Sequence, residues 1–177
     1  MIGPESTGKT TLAARLAEVL GAELSGEAAR GYAEALGGGR ALGAGDVRPI
    51  ALAQMAREDA AAERAAAAGR RLVVRDTDLV STAAYAWWYY RYRADWLDAA
   101  VRARRARHYL LCDVDVPWEG DPARDPALGR ASLRRTNLRA FEGELRRHGC
   151  AYSWVRGTGE ARIACALRAL RRLGLVA

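Results

Sequence analysis

Residues 3–10 read G-x-x-x-x-G-K-T, with only Met1 and Ile2 in front of them. No other stretch constrains the chain so tightly. The glycines of such a loop let backbone N–H groups turn inward around phosphates. The helix that follows aims its partial positive charge at the same point. Lys9 is placed to reach terminal phosphates and Thr10 to give its hydroxyl to Mg²⁺. The loop residues Gly3, Pro4, Glu5, Ser6, Thr7, Gly8, Lys9, Thr10 and Thr11 therefore form the candidate ATP site. Lys9 is also the only lysine in the chain, every other basic residue being arginine. A compact ammonium kept in one place, where a guanidinium fork would be too wide, argues for a specific role.

A phosphate loop normally leaves the end of a buried strand, and two residues do not make one. Omitting that strand would cost several apolar side chains at ~1.5–3 kcal/mol each, against a typical stability of ~5–15 kcal/mol. The expectation is that the natural chain begins a few residues upstream, Met1 being a misplaced start or an internal methionine.

Downstream, "TTLAARLAEVLG" sets Leu12, Leu16, Val19 and Leu20 on one helical face, and Gly21 closes it. "AELSG" reads as a short strand and "EAARGYAEAL" as a helix. A glycine-rich connector leads to Asp46, which is placed as the N-cap of a long helix with Pro49 in its first turn. "RRLVVRD", "HYLLCDV" and "CAYSWVRG" read as strands. They alternate with helices over "STAAYAWWYYRY", "DWLDAAVRARRA", "RASLRRTNLRAFEGELRRHG" and "EARIACALRALRRLG". Alternation of this kind predicts an α/β chain, a single domain over residues 1–177, which with the phosphate loop makes a three-layer P-loop fold with a parallel sheet of about five strands, the first apparently truncated. Residues 114–130, rich in Pro, Gly and Asp, read as a lid-like loop.

Composition narrows the partners. The formal net charge is +7, which raises nucleic acid as a partner. But the arginines fall in short pairs such as Arg70-Arg71 and Arg146-Arg147 along predicted helices, and solvated helix faces account for them. Nucleic acid therefore ranks well behind a small-molecule partner. No apolar run approaches the ~20 residues of a membrane span, so no membrane partner is expected. Cys112, Cys150 and Cys165 lack paired spacing, which points to reduced thiols and a cytoplasmic protein. His108 and His148 have no ligand-like neighbours, and no zinc site is expected. Oligomerisation stays open.

Several stretches, in order, resemble the ribosylnicotinamide kinase domain of bacterial NadR-type proteins: "GPESTGKTTLA", "GEAARGY", "RDTDLVST", "LLCDVDVPWEGDPARD" and "RGTGEAR". The resemblance implies transfer of a phosphoryl group from MgATP to the 5′-hydroxyl of nicotinamide riboside. Asp76, ending the strand "LVVRD", suits the Mg²⁺ shell, directly or through a water. Asp78 holds substrate hydroxyls, acts as the base, or simply caps the next helix. Glu27 is the alternative base and Arg30 a substrate or phosphate contact, although Ala28 and Gly31 depart from the family's E-Y-x-R-E-Y. The resemblance further implies that Trp118 stacks on the nicotinamide ring, that Arg124 is a lid cation, and that Gly157 and Arg162 lie on the adenine side. Pro122 replaces a family glycine in that lid. Two other readings remain: another small-molecule kinase on the same scaffold, and a regulatory module that senses ATP without transferring phosphate.

Overall fold

The computed structural model describes residues 1–37, 40–119 and 129–176. Helix α1 (Lys9–Leu20) leads to strand β1 (Glu23–Ser25) and helix α2 (Ala28–Ala35). A 3-10 turn over Ala44–Asp46 introduces α3 (Val47–Ala67), followed by β2 (Val73–Arg75), α4 (Leu79–Tyr90) and α5 (Asp95–Arg104). The order closes with β3 (Tyr109–Cys112), α6 (Ala131–Arg147), β4 (Tyr152–Val155) and α7 (Gly159–Arg172).

Every strand pairing is parallel, as the alternation predicts. β1 pairs with β2 in the register Glu23 to Val73, and β3 pairs with β4 in the register Tyr109 to Tyr152. Of the expected sheet of about five strands, the first apparently truncated, the described residues form four strands in two separate pairs. Between the pairs lie Met1 and Ile2. The Ile2 amide donates to the Leu110 carbonyl at 3.0 Å, and the Ile2 carbonyl accepts from Cys112 at 2.8 Å. On the other side the Met1 ammonium donates to the Arg75 carbonyl at 2.5 Å. Two residues thus bridge a gap that a full strand would zip. Below them, β2 and β3 flank an apolar slot of about 260 Å³, with Leu16, Leu20, Leu72, Val74, Leu110 and Leu170 among its walls.

The layers follow from the pleat. Tyr109 and Leu111 of β3 join a core with Ile2, Val80, Leu97, Phe141 and Leu145, so α3 to α6 cover that face. Leu110 and Cys112 point the other way, into a smaller core with Leu12, Leu16, Val155 and Ala166 of α1, β4 and α7. Successive residues feeding opposite cores are what a strand buried on both faces requires. Within α1 the inward face is Leu12, Ala13, Leu16 and Ala17; Val19, expected there, is half exposed at 50%. Asp46 occupies the N-cap position of α3 but makes no side-chain cap bond. Its carboxylate instead takes the Gly43 amide, Tyr32 and a bidentate Arg40. These bonds pull its pKa far below the usual carboxylate value.

Candidate active site

The phosphate loop is built as its sequence demands. Gly3 has φ 144°, and a Cβ there would lie 2.9 Å from the Cys112 carbonyl oxygen, so no other residue fits. Ser6 and Gly8 are also left-handed, at φ 53° and 68°, and α1 starts immediately afterwards with no side-chain cap. Its first N–H groups are thus directed at the loop rather than occupied by a cap. The Pro4 carbonyl accepts from the Lys9 ammonium at 2.6 Å and the Thr7 hydroxyl at 2.8 Å. Burial lowers the Lys9 pKa, while Cys112, Glu27 and Asp76 pull it back up. Thr10 and Thr11 are exposed in the first turn of α1.

Two buried arginines hold the loop. Arg162 of α7 donates to the Thr7 carbonyl at 2.9 Å, the Asp113 carbonyl at 3.0 Å, the Gly157 carbonyl at 2.8 Å and Asp115 at 2.6 Å. Gly157 donates its own amide to Asp115 at 2.6 Å. Arg162 thus braces the loop from behind, its contacts all within the protein. Arg134 of α6 donates to the Ser6 carbonyl at 3.0 Å and the Val116 carbonyl at 2.9 Å. Burial lowers its pKa, and its guanidinium lies 5.8 Å from the Trp118 ring centroid. Glu5, a carboxylate inside a phosphate loop, is held by Asn137 at 3.2 Å and by the Tyr89 hydroxyl. Arg134 and Asn137 escaped the sequence reading because they sit in a run of polar helix residues that looks solvated.

The acids divide by environment. Asp76 is 3% exposed; its amide donates to the Ser25 carbonyl at 2.8 Å, and its Oδ1 has no hydrogen-bond partner among the described residues. The buried Ser25 and Ser81 hydroxyls share that condition. A buried carboxylate oxygen without a partner is costly in a folded protein, and a metal ion or ligand satisfies it. The Asp76 carboxylate and the Thr10 hydroxyl are oxygen donors of the kind Mg²⁺ takes. Asp78 differs. Its Oδ1 accepts from the Val80 amide at 3.0 Å and the Ser81 amide at 3.4 Å, and its Oδ2 from the Tyr109 hydroxyl at 2.6 Å. That is a helix cap tied to β3. Between the two acids, Thr77 is left-handed at φ 70°. For a β-branched residue this costs ~1–3 kcal/mol, and such strain clusters at functional turns.

Glu27 is half-buried at the N-cap position of α2, and Arg30 is exposed one turn on. Trp118 is half-buried between Arg134 and the Gly129 backbone. Arg124 and Pro122 of the lid-like loop lie outside the described residues. His108 pairs with the Ser153 hydroxyl at 3.0 Å, and His148 packs against Asp98 and Glu144.

With this geometry in hand, comparison with protein families gives a match to the AAA domain over residues 1–162. The chain belongs to that family. An AAA domain of this kind is a P-loop NTPase-type unit, which fits nucleotide-dependent activity at the loop around Lys9 and does not specify an acceptor. No curated protein matches the chain. Among the described residues of this AAA domain, no helix is long and apolar enough to cross a membrane.

Proposed function

We propose that this AAA domain is an ATP-dependent kinase of a small nucleoside, with nicotinamide riboside as the acceptor. The observation that carries the reading is a phosphate loop whose Lys9 follows the left-handed Gly8, together with a buried Asp76 Oδ1 that has no hydrogen-bond partner among the described residues. Phosphoryl transfer needs little more than a phosphate cradle, mobile positive charge, a metal site and a group that orients the attacking hydroxyl.

The loop amides and Lys9 hold the ATP phosphates, Lys9 leaving the Pro4 carbonyl to follow them. Mg²⁺, held by Thr10 and Asp76, would neutralise charge on the transferring group. Glu27 takes the proton of the acceptor hydroxyl as its oxygen bonds to the γ-phosphorus; the bond to the β,γ-bridging oxygen breaks and ADP leaves with that electron pair. Asp78 is assigned to the cap of α4 rather than to proton transfer, since both its oxygens already accept. Arg162 positions the loop. Arg30 and the Trp118 face contact the acceptor, the cationic nicotinamide ring replacing the Arg134 guanidinium over the indole. Arg124 is the lid cation, and Gly157 lies beside the adenine.

The test is ADP release from MgATP with and without nicotinamide riboside. We expect release that depends on the riboside and falls at least ~10²-fold in Lys9→Ala. Release driven instead by a pyrimidine or purine nucleoside would retain the kinase and remove the nicotinamide assignment. ATP binding with no acceptor-dependent release would make the domain a nucleotide sensor.

A further inference from the structure

Gln54 lies in the middle of α3, 2% exposed, on a helix face otherwise buried through alanines such as Ala51, Ala61 and Ala65. Its Oε1 accepts from the Ala28 amide at 3.0 Å. Its Nε2 lies 3.5 Å from the Thr77 carbonyl and 3.5 Å from Glu58 Oε1. One donor on one side and two acceptors on the other fix which end of the amide is which. Glu58 is itself buried beside Arg75 at 3.1 Å and Arg104 at 3.6 Å, so the orienting group is anchored.

The two backbone partners are informative. Ala28 directly follows Glu27, and Thr77 directly follows Asp76. Ala28 opens α2, so its N–H is one of those a helix cannot satisfy internally. Glu27 occupies the N-cap position but makes no side-chain cap bond there. Gln54, from a different helix, supplies the missing acceptor. The same side chain reaches the left-handed Thr77, the strained residue between Asp76 and Asp78.

We propose that Gln54 is a positioning residue: it caps α2 in place of Glu27 and ties that turn to the Thr77 turn, so that Glu27 and Asp76 keep a fixed separation. The role rests on the kinase reading for its consequence in turnover, while the tie itself is a property of the fold. Gln54→Met keeps the volume and removes both contacts. Gln54→Glu keeps an acceptor for Ala28, loses the donor to Thr77, and faces Glu58.

The experiment measures nucleoside-dependent ADP release, amide hydrogen exchange at Ala28, and Mn²⁺ binding in the presence of ADP, for the wild type and both variants. We expect Gln54→Met to lower kcat by about 10–100-fold with KM for ATP nearly unchanged, to weaken Mn²⁺ binding over a similar range, and to speed exchange at Ala28. Gln54→Glu is expected to leave Ala28 protected and still lose kcat and Mn²⁺ affinity. A Gln54→Met enzyme with wild-type kcat and Mn²⁺ affinity overturns the proposal. So does a loss that follows thermal stability alone, with kcat and KM for ATP degraded together. If Gln54→Met does not fold, Gln54→Glu decides by the same criteria. If the wild type turns over no nucleoside, the kinase reading fails separately. The tie is then judged on Ala28 exchange and Mn²⁺ affinity, and unchanged values in both overturn it.

Discussion

At the scale of single residues, Asp78 shows how spacing and environment part company. Two acids separated by one residue follow the same strand, yet among the described residues Asp76 keeps an oxygen without a hydrogen-bond partner while Asp78 accepts three hydrogen bonds. Asp78→Ala removes a cap and leaves the buried Tyr109 hydroxyl without its acceptor; together these are expected to cost about 2–4 kcal/mol. Asp78→Asn, which keeps an acceptor oxygen for the α4 amides, is expected to retain most of the stability and the turnover. Urea unfolding alongside ADP release checks both. Normal stability with abolished turnover in Asp78→Asn would return the base to this residue. Tyr109 bears the other side of the contact: burial first, and then Asp78, push its hydroxyl pKa far above the usual value, so it remains a donor.

At the scale of elements, the packing of α6 on α5 carries a pH dependence. His148 caps the end of α6, 4% exposed. Its Nε2 is 3.5 Å from Glu144, 3.6 Å from Asp98 of α5 and 3.3 Å from the Arg147 guanidinium. Burial lowers its pKa, Arg147 and Arg102 lower it further, and Asp98 and Glu144 oppose them. A histidine held neutral in this way binds its proton more readily once unfolded. Its contribution is fully present above the unfolded value of 6.5 and declines as pH falls from there toward the folded value. Thermal unfolding between pH 7.5 and 5.5 is expected to show a falling Tm, and His148→Gln a flatter profile over the same window. An unchanged slope in that variant would place the pH dependence elsewhere.

At the scale of the whole molecule, the defining feature is the interrupted sheet. β2 and β3 face each other across a slot of about 260 Å³, spanned among the described residues by Met1 and Ile2. Their facing edges are the kind that natural sheets pair or cover. The apolar walls from α1 and α7 would bury matching side chains. Joining an extended Val/Ile-rich pentapeptide to Met1 is expected to run parallel to both strands and raise stability by about 3 kcal/mol or more, at ~1.5–3 kcal/mol for each side chain buried. The same peptide with Asp at its inward positions is expected to give no gain. Denaturant midpoints of the two fusions make the comparison, and equal midpoints would show that the slot does not accept a strand. Because Gly3 follows Ile2 directly, a pinned strand also steadies the entrance to the phosphate loop. The fusion should therefore tighten nucleotide binding as well.

What the sequence by itself determined was local and periodic. The loop over residues 3–10, the alternation of strands with helices, the parallel pairing and the burial of β3 on both faces follow from glycine placement and apolar spacing, which act over a few residues. Asp76 was legible for the same reason, as an acid closing a strand. Tertiary structure decided the rest. Arg162 meets the Thr7 carbonyl across 155 positions, and Asn137 meets Glu5 across 132. Gln54 joins two turns that lie 26 and 23 positions away on either side. No spacing rule encodes such contacts, because the distance between these groups is set by which helices pack on which face of the sheet. The same packing gave Asp78 its Tyr109 partner and Trp118 its arginine. Among the described residues the Ile2 backbone bonds β3 and the Met1 ammonium bonds the Arg75 carbonyl of β2, so the two strand pairs meet through these two residues.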